Sequence, residues 1–406
     1  MIARRSIFFL LAGLIISFFA AGCATKQVAR CTSPEDNPQH HYLMGMEALE
    51  KGDWGNAQAK FERALYCEEK FSPAYSGLAI VSAEKARVQH DEGFGKVETE
   101  RSLGYLKKAD KLSETPEDRF DYLTANIRVY TILKTRNWLD KAKDAFDDVK
   151  GLKVDENKLV YYRGKEAATY FMGAAYLEAL EFQQARDKFA EVLNAKPEGK
   201  WHEKADRLWK KTDKIVRAMA GITVGDVAKK IAVKDSINRG DLAALLVDEL
   251  KIDQLFAGRI AADSKTNKMK AEFTPADVLN YHFENEVLTV MKWKIRGLEP
   301  KYDEKTQAYL FKPADRVKRG EMALILEDVL VKLTGDEKLA TAYFGQEKSP
   351  FPDVKPTSAF YNAVMNMTTR NIMEGELSGE FRVDDPVDGA EALLAIRMLK
   401  QRINTY

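Results

Sequence analysis

Residues 42–79 read YLMGMEALEKGDWGNAQAKFERALYCEEKFSPAYSGLA. Gly45, Ala48, Gly52, Ala57, Phe61, Ala64 and Leu65 set small residues and one aromatic along two apolar-periodic stretches parted by a glycine turn. Tyr75, Leu78 and Ala79 restart the cycle, with Ala79 where Gly45 stood, about 34 residues on. Two short helices that cross closely need small residues at the crossing point and an aromatic to fill the gap to the next pair. The stretch therefore predicts antiparallel helical hairpins stacked into an array.

Later copies extend the pattern. The clearest holds Gly173, Tyr176, Ala185, Phe189, Leu193 and Pro197; another has Ala142, Phe146 and Val149 after a first helix through Phe120 to Leu133. Ser102, Leu106 and Ala109 fit a second helix if the residues around Gln89 to Val97 form an inserted loop. These offsets resemble tetratricopeptide repeats. The resemblance implies an α-solenoid of four hairpins over 40–220, closed by a capping helix from His202 to Met219 with Leu208, Trp209 and Val216 on one side. It also implies a concave face of first helices that binds a protein partner, lined by Tyr42, Met46, Tyr75, Tyr170 and Glu178. At any one of these positions the aromatic can instead be inter-repeat core.

After Met219 the character changes. Residues 351–403 run Phe351-Pro352-Asp353-Val354, Phe360-Tyr361-Asn362-Ala363-Val364, Ile372-Met373-Glu374-Gly375, Gly379-Glu380-Phe381-Arg382, Pro386-Val387-Asp388-Gly389-Ala390-Glu391 and an apolar helix. A second copy, 273–335, holds Asp277-Val278, His282-Phe283, Phe311-Lys312-Pro313 and Val317-Lys318-Arg319-Gly320-Glu321; a third, about 221–270, keeps only Ile237-Asn238-Arg239-Gly240-Asp241 and its helix. These segments resemble S-layer homology repeats, three of which close a pseudo-threefold helical bundle with long loops. The resemblance implies that grooves between repeats bind cell-wall or surface polysaccharide through the motif arginine and nearby aromatics. Carried onto this chain, Arg239 and Arg319 hold the arginine position and Gly389 replaces it in the last copy. Asp241, Glu321 and Glu391 hold the acidic position; His282, Phe283 and Phe360 are the nearby aromatics. Asn238 and Asp388 are suited to cap their helices, and Lys318 is not. Repeats kept only as a structural unit are the competing reading.

At the N-terminus, Arg4 and Arg5 precede an apolar run, Ile7 to Phe19, ending Ala20-Ala21-Gly22-Cys23. The run is shorter than the ~20 residues a spanning helix needs and has the small-residue end of an export signal. It resembles a bacterial lipoprotein leader, 1–22, which implies acylation of Cys23 at the head of a linker over 23–39. Each buried methylene of such an anchor contributes about 0.8 kcal/mol. An ordinary secretory signal cut near Ala21 is the alternative. Ala24, where aspartate is absent, implies the outer membrane in a Gram-negative host, with the periplasmic face expected. Cys31 and Cys67 are then the remaining thiols in an oxidising compartment, and they invite a disulfide, since Cys67 ends a second helix beside the start of the first.

Charge is balanced, 63 basic against 62 acidic residues, which argues against nucleic acid as a partner. The five histidines lack metal-ligand spacing, and no phosphate-binding glycine loop, zinc-protease helix or serine elbow is present. Neither a cofactor nor an enzymatic activity is expected. The chain reads as an envelope tether or scaffold, membrane-held by lipid, with one half on a polymer and the other on a protein. The alternative is an accessory lipoprotein of an envelope secretion or polysaccharide-export complex in which both halves bind proteins.

Overall fold

The computed structural model describes residues 31, 33–259 and 271–403. The expected leader, Cys23 and residues 24–30 of the expected linker lie outside them. Among the described residues the chain is mainly helical, and no helix is long and apolar enough to cross a membrane. Two compact units emerge: one takes the described residues up to Leu133 with Leu152–Tyr161, the other Lys134–Gly151 with Tyr162 onward.

In the first unit, Asn37 accepts a hydrogen bond from the His40 amide at 2.8 Å and Pro38 opens helix α1, Pro38–Glu50. A proline fits there because its missing N–H has no partner within the helix. Gly52, at φ +76°, makes the turn, and Asp53 caps α2, Trp54–Cys67, through the Asn56 amide. Phe61 is fully buried between α1 and α3, Ser72–Val88. A Cβ at Gly45 would fall 2.5 Å from the Phe61 ring, and one at Gly77 would fall as close to the same ring. That close approach is the reason for the small residues in the repeat. A disulfide joins Cys31 to Cys67, with Cα atoms 5.2 Å apart.

The expected inserted loop at Gln89 to Val97 is absent. Helix α4 runs Glu92–Leu112, capped by Asp91 through the Phe94 amide at 2.7 Å, so the extra residues lengthen α3 and α4. Two serines fix this longer antiparallel pair: Ser72 Oγ donates to the Ala109 carbonyl at 2.8 Å, and Ser102 Oγ to that of Ala79 at 2.7 Å. Helix α5, Pro116–Leu133, follows, with Thr115 accepting from the Asp118 amide.

The second unit opens with α6, Trp138–Gly151, α7, Glu166–Glu178, α8, Phe182–Ala195, and α9, His202–Met219. Gly173 meets the Phe189 ring as Gly45 meets Phe61. Trp201 is buried, its Nε1 donating to the Tyr162 carbonyl at 2.8 Å. The expected break at residue 220 is not a break between units. Ile215 and Ala218 of α9 are fully buried in one apolar core with Phe182 of α8 and with Ile231, Leu393 and Ile396, so the capping helix joins the array to the bundle that follows; Leu208, Trp209 and Val216 are half-buried.

That bundle holds α10, Asp226–Ala232, α11, Arg239–Asp248, and α12, Ile252–Arg259; then α13, Glu284–Lys292, and α14, Arg319–Thr334; then α15, Tyr361–Thr369, and α16, Gly389–Ile403. A hairpin of β1, Lys301–Asp303, and β2, Ala308–Leu310, pairs Tyr302 with Tyr309 in the middle copy. The three copies close on a ring of backbone hydrogen bonds. Ile237 N–H donates to the Val387 carbonyl (2.9 Å), Val387 N–H to that of Val317 (3.0 Å), and Val317 N–H to that of Ile237 (3.1 Å). Each copy thus satisfies buried backbone groups of the next, and the ring cannot be completed with fewer than three.

Candidate functional site

The ring sets the N-termini of α11, α14 and α16 in equivalent places. At the first, Asn238 Oδ1 accepts from the Asp241 amide (2.8 Å) while Asp241 accepts from the Asn238 amide (3.1 Å), a reciprocal cap. Asp241 is buried and also takes the Lys234 ammonium at 2.7 Å. At the second, Glu321 accepts from the Lys318 amide at 3.0 Å, and the Lys318 side chain turns away to Asp384. At the third, Asp388 accepts from the Glu391 amide at 2.7 Å.

The arginines do not present free forks to solvent, as the groove reading requires. Arg239 is 7 % exposed and donates to the carbonyls of Phe311 (2.9 Å), Gly297 (2.6 Å) and Glu299 (3.0 Å). Arg319 is 1 % exposed, donates to those of Phe381 and Glu374 (both 2.7 Å) and pairs with Glu391. Each guanidinium lies over the phenylalanine whose carbonyl it holds, 4.7 and 4.6 Å from the ring centres. Burial pulls Arg319 down to about 10, so it remains a cation at neutral pH. The physical reason for the correction is that a planar multi-donor group saturates with backbone acceptors when a loop is folded around it.

The same loops are closed from the other side by aspartates. Asp277 accepts from the amides of Phe311 (3.0 Å) and Lys312 (2.6 Å), and Asp353 from those of Phe381 (2.8 Å) and Val383 (3.1 Å). Burial raises the Asp353 carboxyl, but these amides more than reverse it and leave it below its ordinary value. Gly389 has no loop to hold. The first copy runs from the end of α10 at Ala232 almost directly to Ile237, and a Cβ on Gly389 would collide with the Ile231 carbonyl.

The aromatics sit at the seams between copies. Tyr281 covers Gly240, and Phe360, half-buried, covers Gly320. His282 is exposed and lies between the tilted rings of Tyr281 and Phe283, with ring centres 4.2 and 4.1 Å away. A buried polar cluster escaped the sequence reading. Asn366 Nδ2 donates to Glu327 (2.6 Å) and to the Leu339 carbonyl (2.7 Å), Asn362 makes the same two contacts, and Arg296 pairs with Glu327 at 2.6 Å. Two asparagines four apart in the apolar stretch YNAVMNM were the available signal.

Of the expected protein-binding residues, Met46 is fully buried core, packed away from any face it could offer. Tyr75 is half-buried, with its hydroxyl on the Glu69 carbonyl and its ring under Lys108. In the second unit, Tyr170 lies among Phe171, Phe189 and Trp201, and Glu178 is exposed and pairs with Lys134 at 2.7 Å. Tyr42 is 3 % exposed, yet it lines a cavity of about 320 Å³ in the first unit, its hydroxyl donating to the Asp121 carboxylate.

An S-layer homology domain model matches residues 350–393, within the last of the three copies in chain order. No curated protein and no solved structure matches the chain.

Proposed function

We propose that the chain is a non-enzymatic envelope lipoprotein, anchored by acylated Cys23 in the outer membrane, whose three-copy bundle contacts cell-wall or surface polysaccharide while the tetratricopeptide-like array recruits a protein. The observation that carries the polymer half is the S-layer homology match on one member of a closed ring of three copies. In this reading the buried arginines build the seams, and the polymer meets His282, Phe283 and Phe360 instead. The test is co-sedimentation of the full chain with purified wall sacculi at low and moderate salt, for the wild type and for His282→Ala with Phe283→Ala. Pelleting that falls at least tenfold in the double variant, at unchanged melting temperature, is the expected result. Absence of pelleting at both salts overturns the polymer half. Incorporation of labelled fatty acid that persists in Cys23→Ala would overturn the anchor.

One observation favours a second reading. Arginine forks already filled by backbone carbonyls leave the bundle as a rigid unit suited to protein contacts, as an accessory of an envelope assembly complex requires. A stoichiometric membrane complex captured by a chain that does not pellet with sacculi distinguishes the two.

A further inference from the structure

The cavity beside Tyr42 is built from first helices of the array. Tyr42 comes from α1, Phe71 and Pro73 from the start of α3, and Asp118 and Asp121 from α5. Val160 adds an apolar wall. Its volume, about 320 Å³, is at the lower end of the range for ligand pockets, of order 300–1,000 Å³. Asp121 is 7 % exposed and has no ion-pair partner among the described residues. A carboxylate taken out of water without a counter-ion is costly, so the site gains from any cation that enters it.

We infer that this cavity takes the basic side chain, lysine or arginine, of the partner protein, with its cation on Asp121 and its aliphatic stem along Tyr42, Phe71 and Val160. The inference rests on the reading of the array as a protein-binding surface. Charge complementarity selects the occupant. Glu117 and Asp118 face the cavity from the same helix as Asp121, and Lys158 is the one cation among its lining residues. The amide of Asp155 already engages Glu117 at 2.9 Å, and the Thr115 hydroxyl engages Asp118 at 2.8 Å, so Asp121 is the acid without a donor beyond Tyr42 in its surroundings. Helix α1 offers the Tyr42 hydroxyl, and α3 offers no charge. A long side chain with an apolar stem and a charged end suits such a mixed wall. Stacked helical arrays present first-helix faces of this kind to partners.

Burial holds the Asp121 carboxyl up to about 7, with Asp118 pushing the same way and the Tyr42 hydrogen bond opposing. A bound cation reverses that shift, and binding therefore strengthens as pH rises past neutrality. The experiment is ligand-observed NMR titration of the full chain with blocked pentapeptides Gly-Gly-X-Gly-Gly, where X is lysine, arginine, norleucine or glutamate, at pH 5 and pH 8. The expected result is at least tenfold preference for lysine or arginine over norleucine at pH 8, shrinking at pH 5. Asp121→Asn, which keeps an acceptor for Tyr42, is to abolish the preference while norleucine binding stays unchanged. Equal affinity for lysine and norleucine in the wild type, or no binding of either at millimolar concentration, overturns the inference without use of any variant. No wall material is present, so loss of sacculus pelleting leaves this result independent.

Discussion

Replacing Arg319 by methionine tests whether the motif arginine serves the fold or a ligand. The substitution strips the Phe381 and Glu374 carbonyls of their donor and leaves Glu391, 9 % exposed, without its cation. Breaking a buried pair from one side costs about 3–5 kcal/mol, and each carbonyl left unpaired adds about 1–3 kcal/mol before the loop relaxes. Methionine keeps apolar contact with Phe381 and offsets part of this, for a net loss of about 5 kcal/mol. In a unit of this size each kcal/mol moves the melting temperature by about 2–4 °C, so the drop should be about 10–20 °C by circular dichroism. Removing the stranded acid as well, in Arg319→Met with Glu391→Leu, should recover more than half of it, since a buried pair replaced by apolar groups is close to neutral. An Arg319→Met chain that melts within about 2 °C of wild type while losing its affinity for sacculi would refute the reasoning and return the arginine to the ligand.

Three further outcomes are expected. Gly389→Ala places a Cβ against the Ile231 carbonyl and should cost about 3 kcal/mol through backbone displacement, read as a lowered urea midpoint, whereas a midpoint equal to wild type contradicts the close approach. Asp121, held up to about 7 against an ordinary 3.8, is stabilised in its protonated form, so its contribution is fully present below pH 3.8 and is lost as pH rises through 7. The loss is about 4 kcal/mol at most, and Asp121→Asn should flatten the change in urea midpoint between pH 5 and pH 8. Cys67→Ser opens a loop closed over a sequence separation of 36 and should destabilise the first unit by up to about 4 kcal/mol, visible as a lower melting temperature that added reductant no longer changes.

The helical elements were legible because their signals are local. Gly45 and Phe61, or Gly173 and Phe189, announce a close crossing by residue type alone, and the three motif segments announce equivalent helix starts. What the sequence did not reveal was long-range. Nothing near Gln89 says whether the additional residues bulge out or extend two helices; that is decided by Ser72 and Ser102 bonding across the pair to the Ala109 and Ala79 carbonyls. That no unit boundary falls at residue 220 was hidden for the same reason, since the apolar side of α9 reads equally well as a cap over repeats or as a wall of the next core. Asn362 and Asn366 were visible in the sequence, but their partner Glu327 stands on another copy, and no spacing rule connects them.

The missing third arginine follows from the same geometry. Read as a ligand group, Arg239, Arg319 and Gly389 describe a site decaying in one copy of three. Read as a staple, each arginine belongs to the loop of the following copy: Arg239 to the loop through Gly297 and Phe311, Arg319 to the loop through Glu374 and Phe381. The copy that follows Gly389 in the ring is the first, and there the end of α10 and Ile237 are joined too tightly to leave a loop. An arginine at 389 would bring several N–H donors to a place already occupied by the end of α10, where Gly389 N–H donates to the Lys234 carbonyl at 2.9 Å. The short first copy and the glycine in the last are therefore one structural fact. It follows that the number of motif arginines does not count polymer sites on this bundle. In the proposed reading that role falls to the surface at the seams, where His282 lies beside Phe283 at one seam and Phe360 over Gly320 at the next.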